Sequence, residues 1–171
     1  MRRAFRAIFA IFFATIGACA NLAAPPVPVG AKESEVVAKL GQPSHRYQDA
    51  DGHLLEYAHG PWGQTTYMAR IDADGRLVSY EQVLKTEKFA SIEVGHATKK
   101  DILHTIGAPS ETTFLSLPQL EVWSYPYKEN GVWDSMMHVH FDKDGIVRKM
   151  MNGPDPRFDP DSRWPFSSRH R

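Results

Sequence analysis

The chain has 171 residues, with 20 basic and 20 acidic side chains, one Cys and 42% hydrophobic residues. No stretch concentrates Lys and Arg, so the sequence lacks the basic stripe that neutralises nucleic-acid phosphates. A single Cys excludes an internal disulfide and a thiolate metal cage.

Arg2, Arg3 and Arg6 precede an apolar run, 7–15, and Ile16-Gly17-Ala18-Cys19 follows. A basic start, a short apolar core and small residues before a cleavage point form an export leader. Its apolar run is shorter than the ~20 residues that span a bilayer. The last four residues resemble a bacterial lipobox, so 1–18 is expected to be removed and Cys19 to carry lipid. Loss of the three Arg leaves the mature chain with an acidic excess of three. Ala20, not Asp, after the Cys favours the outer membrane under the sorting rule for such lipoproteins. Residues 19–28 form the lipidated Cys and an Ala/Pro tether, extended by Pro25, Pro26 and Pro28.

Two similar blocks follow, expected over 29–93 and 94–152. Val29-Gly30 is echoed by Val94-Gly95, and the run from Glu35 to Pro43 by the run from Asp101 to Pro109. Tyr57 is matched by Tyr125, and Asp72-Ala73-Asp74-Gly75 by Asp142-Lys143-Asp144-Gly145. Val36, Val37 and Leu40 have helical spacing, as do Ile102, Leu103 and Ile106. Gly41 and Gly107 suit the positive-φ position that ends a helix, and Pro43 and Pro109 stop its continuation. Thr98 and Asp101 read as a capping box; Lys32 stands in its place in the first block, so that helix is expected to fray more.

Strands are expected at 44–48, 53–59, 65–72 and 76–84, then at 112–115, 120–127, 135–142 and 146–151, joined by Asp- and Gly-bearing turns. The fold class is therefore α+β: two tandem helix-plus-antiparallel-sheet repeats, with helices packed on one face of the sheet and the other face open. Alternation puts Leu55, Tyr57, Tyr67, Ala69, Ile71, Trp123, Tyr125, Met137, Val139 and Phe141 under the helices. The open face then carries Glu56, Met68, Arg70, Val78, Tyr80, Val122, Met136, His138, His140, Arg148 and Met150. Its Met, Tyr and Arg content suits protein binding. Residues 153–171, with Pro154, Pro156, Pro160 and Pro165, read as a disordered Pro-rich tail.

Catalytic signatures are missing: no Gly-x-Ser-x-Gly, no His-Glu-x-x-His and no P-loop. The Asp-x-Asp-Gly runs lack the later oxygen ligands of a calcium loop and read as hairpin turns. His138 and His140 share a strand face and could share a metal, but no third ligand has a fitting spacing; no metal and no cofactor is expected. They also offer a pH-sensitive contact to a partner. Trp62 and Trp133 each follow a Gly-led loop and could form an aromatic binding rim. The candidate partner-binding residues are Met68, Arg70, Tyr80, His138, His140, Arg148, Trp62 and Trp133.

The repeat unit resembles the SmpA/OmlA (BamE) family of outer-membrane lipoproteins. The resemblance rests on Gly30, the helix and turn from Glu35 to Pro43, Tyr57 and the turn from Asp72 to Gly75, downstream of a lipobox, and it recurs from Gly95 to Gly145. Two tandem copies are similar to the β-lactamase-inhibitor-protein architecture, in which two sheets join to present one concave face. The resemblance implies a non-enzymatic, lipid-anchored module on the periplasmic face of the outer membrane, bound to another envelope protein during envelope assembly or maintenance. The inhibitor architecture implies an alternative, a protein inhibitor of an envelope or secreted hydrolase. Neither resemblance assigns a contact residue. Cys19→Ala is expected to leave an unprocessed or soluble protein; fractionation that finds it still in the membrane would contradict lipidation.

Overall fold

Two Gly-x-Pro stops and two Asp-x-Asp-Gly turns divide the chain. In the computed structural model, which describes residues 26–59 and 63–158, each set belongs to a short helix followed by a four-stranded meander. The first half has α1 (Glu33–Leu40), β1 (His45–Asp49), β2 (Gly52–His59), β3 (Thr65–Asp72) and β4 (Leu77–Gln82). The second has α2 (Thr86–Ala90), α3 (Lys99–Thr105), β5 (Glu111–Leu115), β6 (Leu120–Glu129), β7 (Trp133–Phe141) and β8 (Val147–Pro154). Each sheet is antiparallel in chain order, β1-β2-β3-β4 and β5-β6-β7-β8. The class is mostly β with small helices. The leader, Cys19, the tether up to Pro25, Trp62 and residues 159–171 lie outside the described residues; the first part of the expected tail is ordered, with Gly153 and Pro154 in β8 and Asp155 buried and paired with Arg157.

The same sequence signals build the same local structure twice. Asp72 Oδ1 accepts the amides of Asp74 and Arg76 at 3.0 and 2.8 Å. Asp142 Oδ1 accepts those of Asp144 and Ile146 at 2.9 and 3.0 Å. Both Asp-x-Asp-Gly runs are thus Asx-type hairpin turns. Gly30 N donates to Leu77 O and Gly95 N to Val147 O, each at 2.7 Å. Register shifts fall at Arg70/Ile71 in β3 and at His140/Phe141 in β7.

The helix starts differ as their residues require. Thr98 Oγ1 accepts the Asp101 amide at 3.3 Å, and Asp101 Oδ2 accepts the Thr98 amide at 2.8 Å, closing the box. At α1 only the return bond exists, Lys32 N to Glu35 Oε2 at 2.9 Å. The helix α2 was not foreseen. Five residues are too few to show a helical period, and its one buried apolar residue, Phe89, looks like a loop residue in sequence.

Packing departs from the expected single open face. Val36 of α1 packs with Leu55, Tyr57, Ala69, Ile71 and Leu77 on one face of the first sheet. Phe89 of α2 and Ile102 and Ile106 of α3 pack with Trp123, Tyr125, Tyr127, Val139 and Phe141 on the second sheet. However, the first sheet's other face is covered as well. Leu54, Met68 and Val83 form a third buried cluster there. The Tyr47 ring lies 5.7 Å from that of His104, on α3. The two sheets therefore do not join into one concave surface; α3 meets the second sheet with Ile102 and Ile106 and the first with its other side. The physical reason stands in the sequence: Leu54 and Leu55 are adjacent, point to opposite faces, and both need burial.

Glu56 makes the junction specific. The residue is 1% exposed. Oε2 accepts from Tyr47 Oη at 2.6 Å and from the Ala108 amide, just past α3, at 3.0 Å. Burial, together with the Glu56 carboxylate, pushes the Tyr47 phenol far above its usual value. Gly107 has φ +86°, and a Cβ there would lie 2.9 Å from the Glu56 carboxyl carbon. Gly41 has a matching φ of +87° but faces open space. Both glycines end their helices at positive φ as expected, although Gly41 has ψ −172°, outside the left-handed helical well.

The two glycines therefore give a controlled comparison. Gly41→Ala is expected to destabilise by about 1 kcal/mol, from backbone strain alone. Gly107→Ala is expected to cost a further ~1–3 kcal/mol, because it also dislodges a buried carboxylate from its donors. Urea unfolding of both variants checks this; equal losses would contradict the steric role of Glu56.

Candidate functional site

The expected binding residues scatter over several surfaces. Met68 is 4% exposed and buried between the first sheet and the second half. Tyr80 pairs across from Ala69, which turns it to the α1 face. There it stacks on Tyr67 with centroids 5.0 Å apart and an angle of 10°, and burial pushes its phenol up to about 12. Met150 pairs with Val139 and packs on the helix side of the second sheet. Met68, Tyr80 and Met150 therefore leave the shared open face. Alternation was counted along each strand correctly, but cross-strand register and the burial of the first sheet on both faces were missed.

Arg70 is exposed and donates to Asp49 Oδ2 at 2.6 Å. Arg148 Nε donates to Asp142 Oδ2 at 2.6 Å, tying β8 to the β7–β8 turn. Such exposed pairs contribute little stability and leave the guanidinium accessible. Trp133, at the start of β7, is 68% exposed. Trp62 lies outside the described residues.

His138 and His140 do come together, on the face of the second sheet turned away from α2 and α3. Register lines up Glu111, Ser124, His138 and Met151 in one cross-strand row and Thr113, Val122, His140 and Lys149 in the next. These rows border a groove of ≈ 290 Å³ that also touches Leu115. Ser124 Oγ and His138 Nδ1 are 2.9 Å apart. His140 is 8% exposed, and its Nε2 is buried with no hydrogen-bond partner. Burial, reinforced by His138 and Lys149, holds His140 below the ordinary imidazole value, so it is neutral at pH 7. The groove thus presents apolar side chains, one Ser–His pair and an uncharged ring. Among the described residues no three His, Cys, Asp or Glu side chains lie close enough together to hold a metal.

A second, smaller cleft of ≈ 130 Å³ lies between the halves, lined by His45, Glu56, Thr66, Leu84 and Tyr125 among others. His45 Nδ1 is 3.6 Å from Glu56 Oε2. Sequence reasoning placed Glu56 on an open face and missed this junction. The available signal was a lone acidic residue inside the apolar run of β2.

Residues 81–151 match the family model described as the outer membrane protein assembly factor BamE domain. They take in the end of β4, both helices of the second half and β5 to β8, down to Met151. No curated protein matches the chain. Among solved structures, a DUF4309 family protein from Bacillus subtilis is similar at 12% identity, over 71% of this chain and 76% of that one, with a TM-score of 0.29.

The His140 environment has a pH consequence. Its folded-state value is depressed, so the unfolded chain binds the proton more readily. The contribution is fully present above the ordinary His value of ~6.5 and is lost as pH falls below it. The melting temperature is expected to drop between pH 7 and 5.5, and the drop should be smaller in His140→Gln. Parallel curves for the two proteins would contradict it.

Proposed function

We propose that this chain is a lipoprotein of the outer membrane, anchored through Cys19 and facing the periplasm, which works as a non-catalytic protein-binding module in outer-membrane protein assembly or maintenance. The observation that carries this reading is the BamE-domain match over 81–151. The basic, apolar and small-residue leader ending at Cys19 supports the anchor.

The first half is proposed to be a second copy of the same unit, which 29–93 and 94–152 would then divide between them. Its support is the shared element order and the matching turn, bulge and pre-helix hydrogen bonds. The copies take unequal roles. The first is covered on both sheet faces and acts as a support, whereas the second presents the groove with His138 and His140, and Trp133 on its β6–β7 hairpin. Arg148, on β8 of the second sheet, and Arg70, on β3 of the first, are further accessible cations for a partner. A shallow surface of this kind fits contact with another folded or extended protein better than enclosure of a small substrate.

A cross-linked pull-down of the lipidated protein from its own membranes, read by mass spectrometry, tests the proposal. Recovery of outer-membrane assembly proteins is the expected result. Recovery of a hydrolase alone would contradict it and favour the inhibitor alternative.

A further inference from the structure

We propose that the outer edge of β5 is a docking edge for an extended strand of another polypeptide, with apolar and polar residues alternating along it. This rests on the proposed role in envelope assembly and names the kind of partner.

The two sheets have four outer strands, β1, β4, β5 and β8. Natural proteins guard such edges, because an open row of N–H and C=O groups pairs with any passing strand. Three of the four are guarded here. The start of β4 is closed by Gly30 N to Leu77 O and Leu77 N to Ala31 O, at 2.7 and 2.9 Å. The start of β8 is closed in the same way by Gly95 and Ala97, and further along it carries the exposed charges of Arg148 and Lys149. Along β1, Arg46 pairs with Glu33 and Asp49 with Arg70.

β5 has none of these devices. Its sequence, Glu-Thr-Thr-Phe-Leu, has one charge, placed at its end, and three β-branched or aromatic residues. It contains no Pro, and its register with β6 is uninterrupted. All five residues are exposed, Phe114 by 63%, and Leu117 in the following turn by 92%. Among the described residues, β5, like β1, makes no backbone hydrogen bond outside its own sheet. A strand this well suited to pairing, with neither the backbone closure that begins β4 and β8 nor the ion-paired charges along β1, fits a partner that supplies the missing ladder.

The adjoining groove indicates what that partner carries. Glu111, Thr113 and Leu115 form its β5 wall, with Val122, His140 and Met151 beyond. A strand added to β5 would send alternate side chains over this groove, where apolar groups are favoured beside the neutral His140. The intervening side chains would lie beside Thr112 and Phe114, close to water. Alternation over about ten residues is the pattern of β-barrel wall strands. Glu111 would favour a basic residue at one end of the incoming segment.

The test uses the mature protein and a fluorescein-labelled peptide of ten alternating valines and threonines with lysine at each end. A second peptide with a central proline serves as control. Anisotropy should show binding of the first peptide alone, and amides of 111–115 should gain protection from hydrogen exchange. Thr113→Pro should weaken binding by about tenfold or more. Leu115→Lys, which leaves the backbone intact, should weaken it in the same direction, covering the case in which the proline variant unfolds. Equal binding of the two peptides, protection on another strand, or a self-dimer through β5 that excludes the peptide would each overturn the inference. Membrane pull-downs with Leu115→Lys separate the two levels. If assembly proteins are recovered equally with wild type and variant, the edge proposal falls and the wider role stands. If wild type recovers none while the peptide binds as described, the wider role falls and the edge remains a strand-docking site.

Discussion

A buried carboxylate holds the two halves of this protein in register. Glu56 belongs to the first sheet, but its oxygen is satisfied by Tyr47 on β1 and by the Ala108 amide beyond α3. Removing a buried carboxylate from water is unfavourable unless donors replace the solvent, so the chain must bring α3 to that spot. Gly107 leaves the room, and Tyr125 Oη donates to the Gly107 carbonyl at 3.1 Å from the second sheet. One turn of chain is thereby fixed from both sides. Leu54, Met68 and Val83, buried beside His104 and Thr105 of α3, supply the non-directional part of the junction, and Glu56 supplies its direction.

That junction decides which surfaces remain for other molecules. Because α3 lies against the first sheet, the groove and open edge that remain belong to the second, within the segment that matches the BamE domain. In the proposed function the first half then gives rigidity more than contact. Tyr57 illustrates the asymmetry. Its counterpart Tyr125 reaches a carbonyl, whereas the Tyr57 hydroxyl is buried with no hydrogen-bond partner. Phe89 of α2 covers Tyr127 at 4.8 Å in the second half. The corresponding ring in the first half is His59, which is exposed and stacks on Tyr57.

Local elements were legible in the sequence because their signals are local. Alternation and Asp-Gly turns located all eight strands to within a few residues, and the Thr98 box and the two Gly-x-Pro stops located α1 and α3. What escaped was long-range. Alternation gives parity within a strand, but not what lies over it, which hides the burial of Met68, nor the cross-strand register, which turns Tyr80 to the α1 face. Glu56 looked solvated because exposed acids are the norm, and nothing nearby in sequence announces a donor 52 residues away. His138 and His140 were correctly paired on one face, yet the burial of the His140 Nε2 depends on neighbouring strands. The β5 edge stands out only against the others, two of them closed at their starts and β1 lined by ion-paired charges.

The Ala108 amide offers the most direct measurement. It faces a single acceptor, Glu56, across the junction. If that bond holds the halves as one unit, native-state hydrogen exchange at Ala108 occurs only on global unfolding, with the same free energy as core amides such as those of Val139 and Leu55. Exchange at Ala108 well below that free energy, with both cores still protected, would show that the halves part while each stays folded, and would contradict the proposed junction.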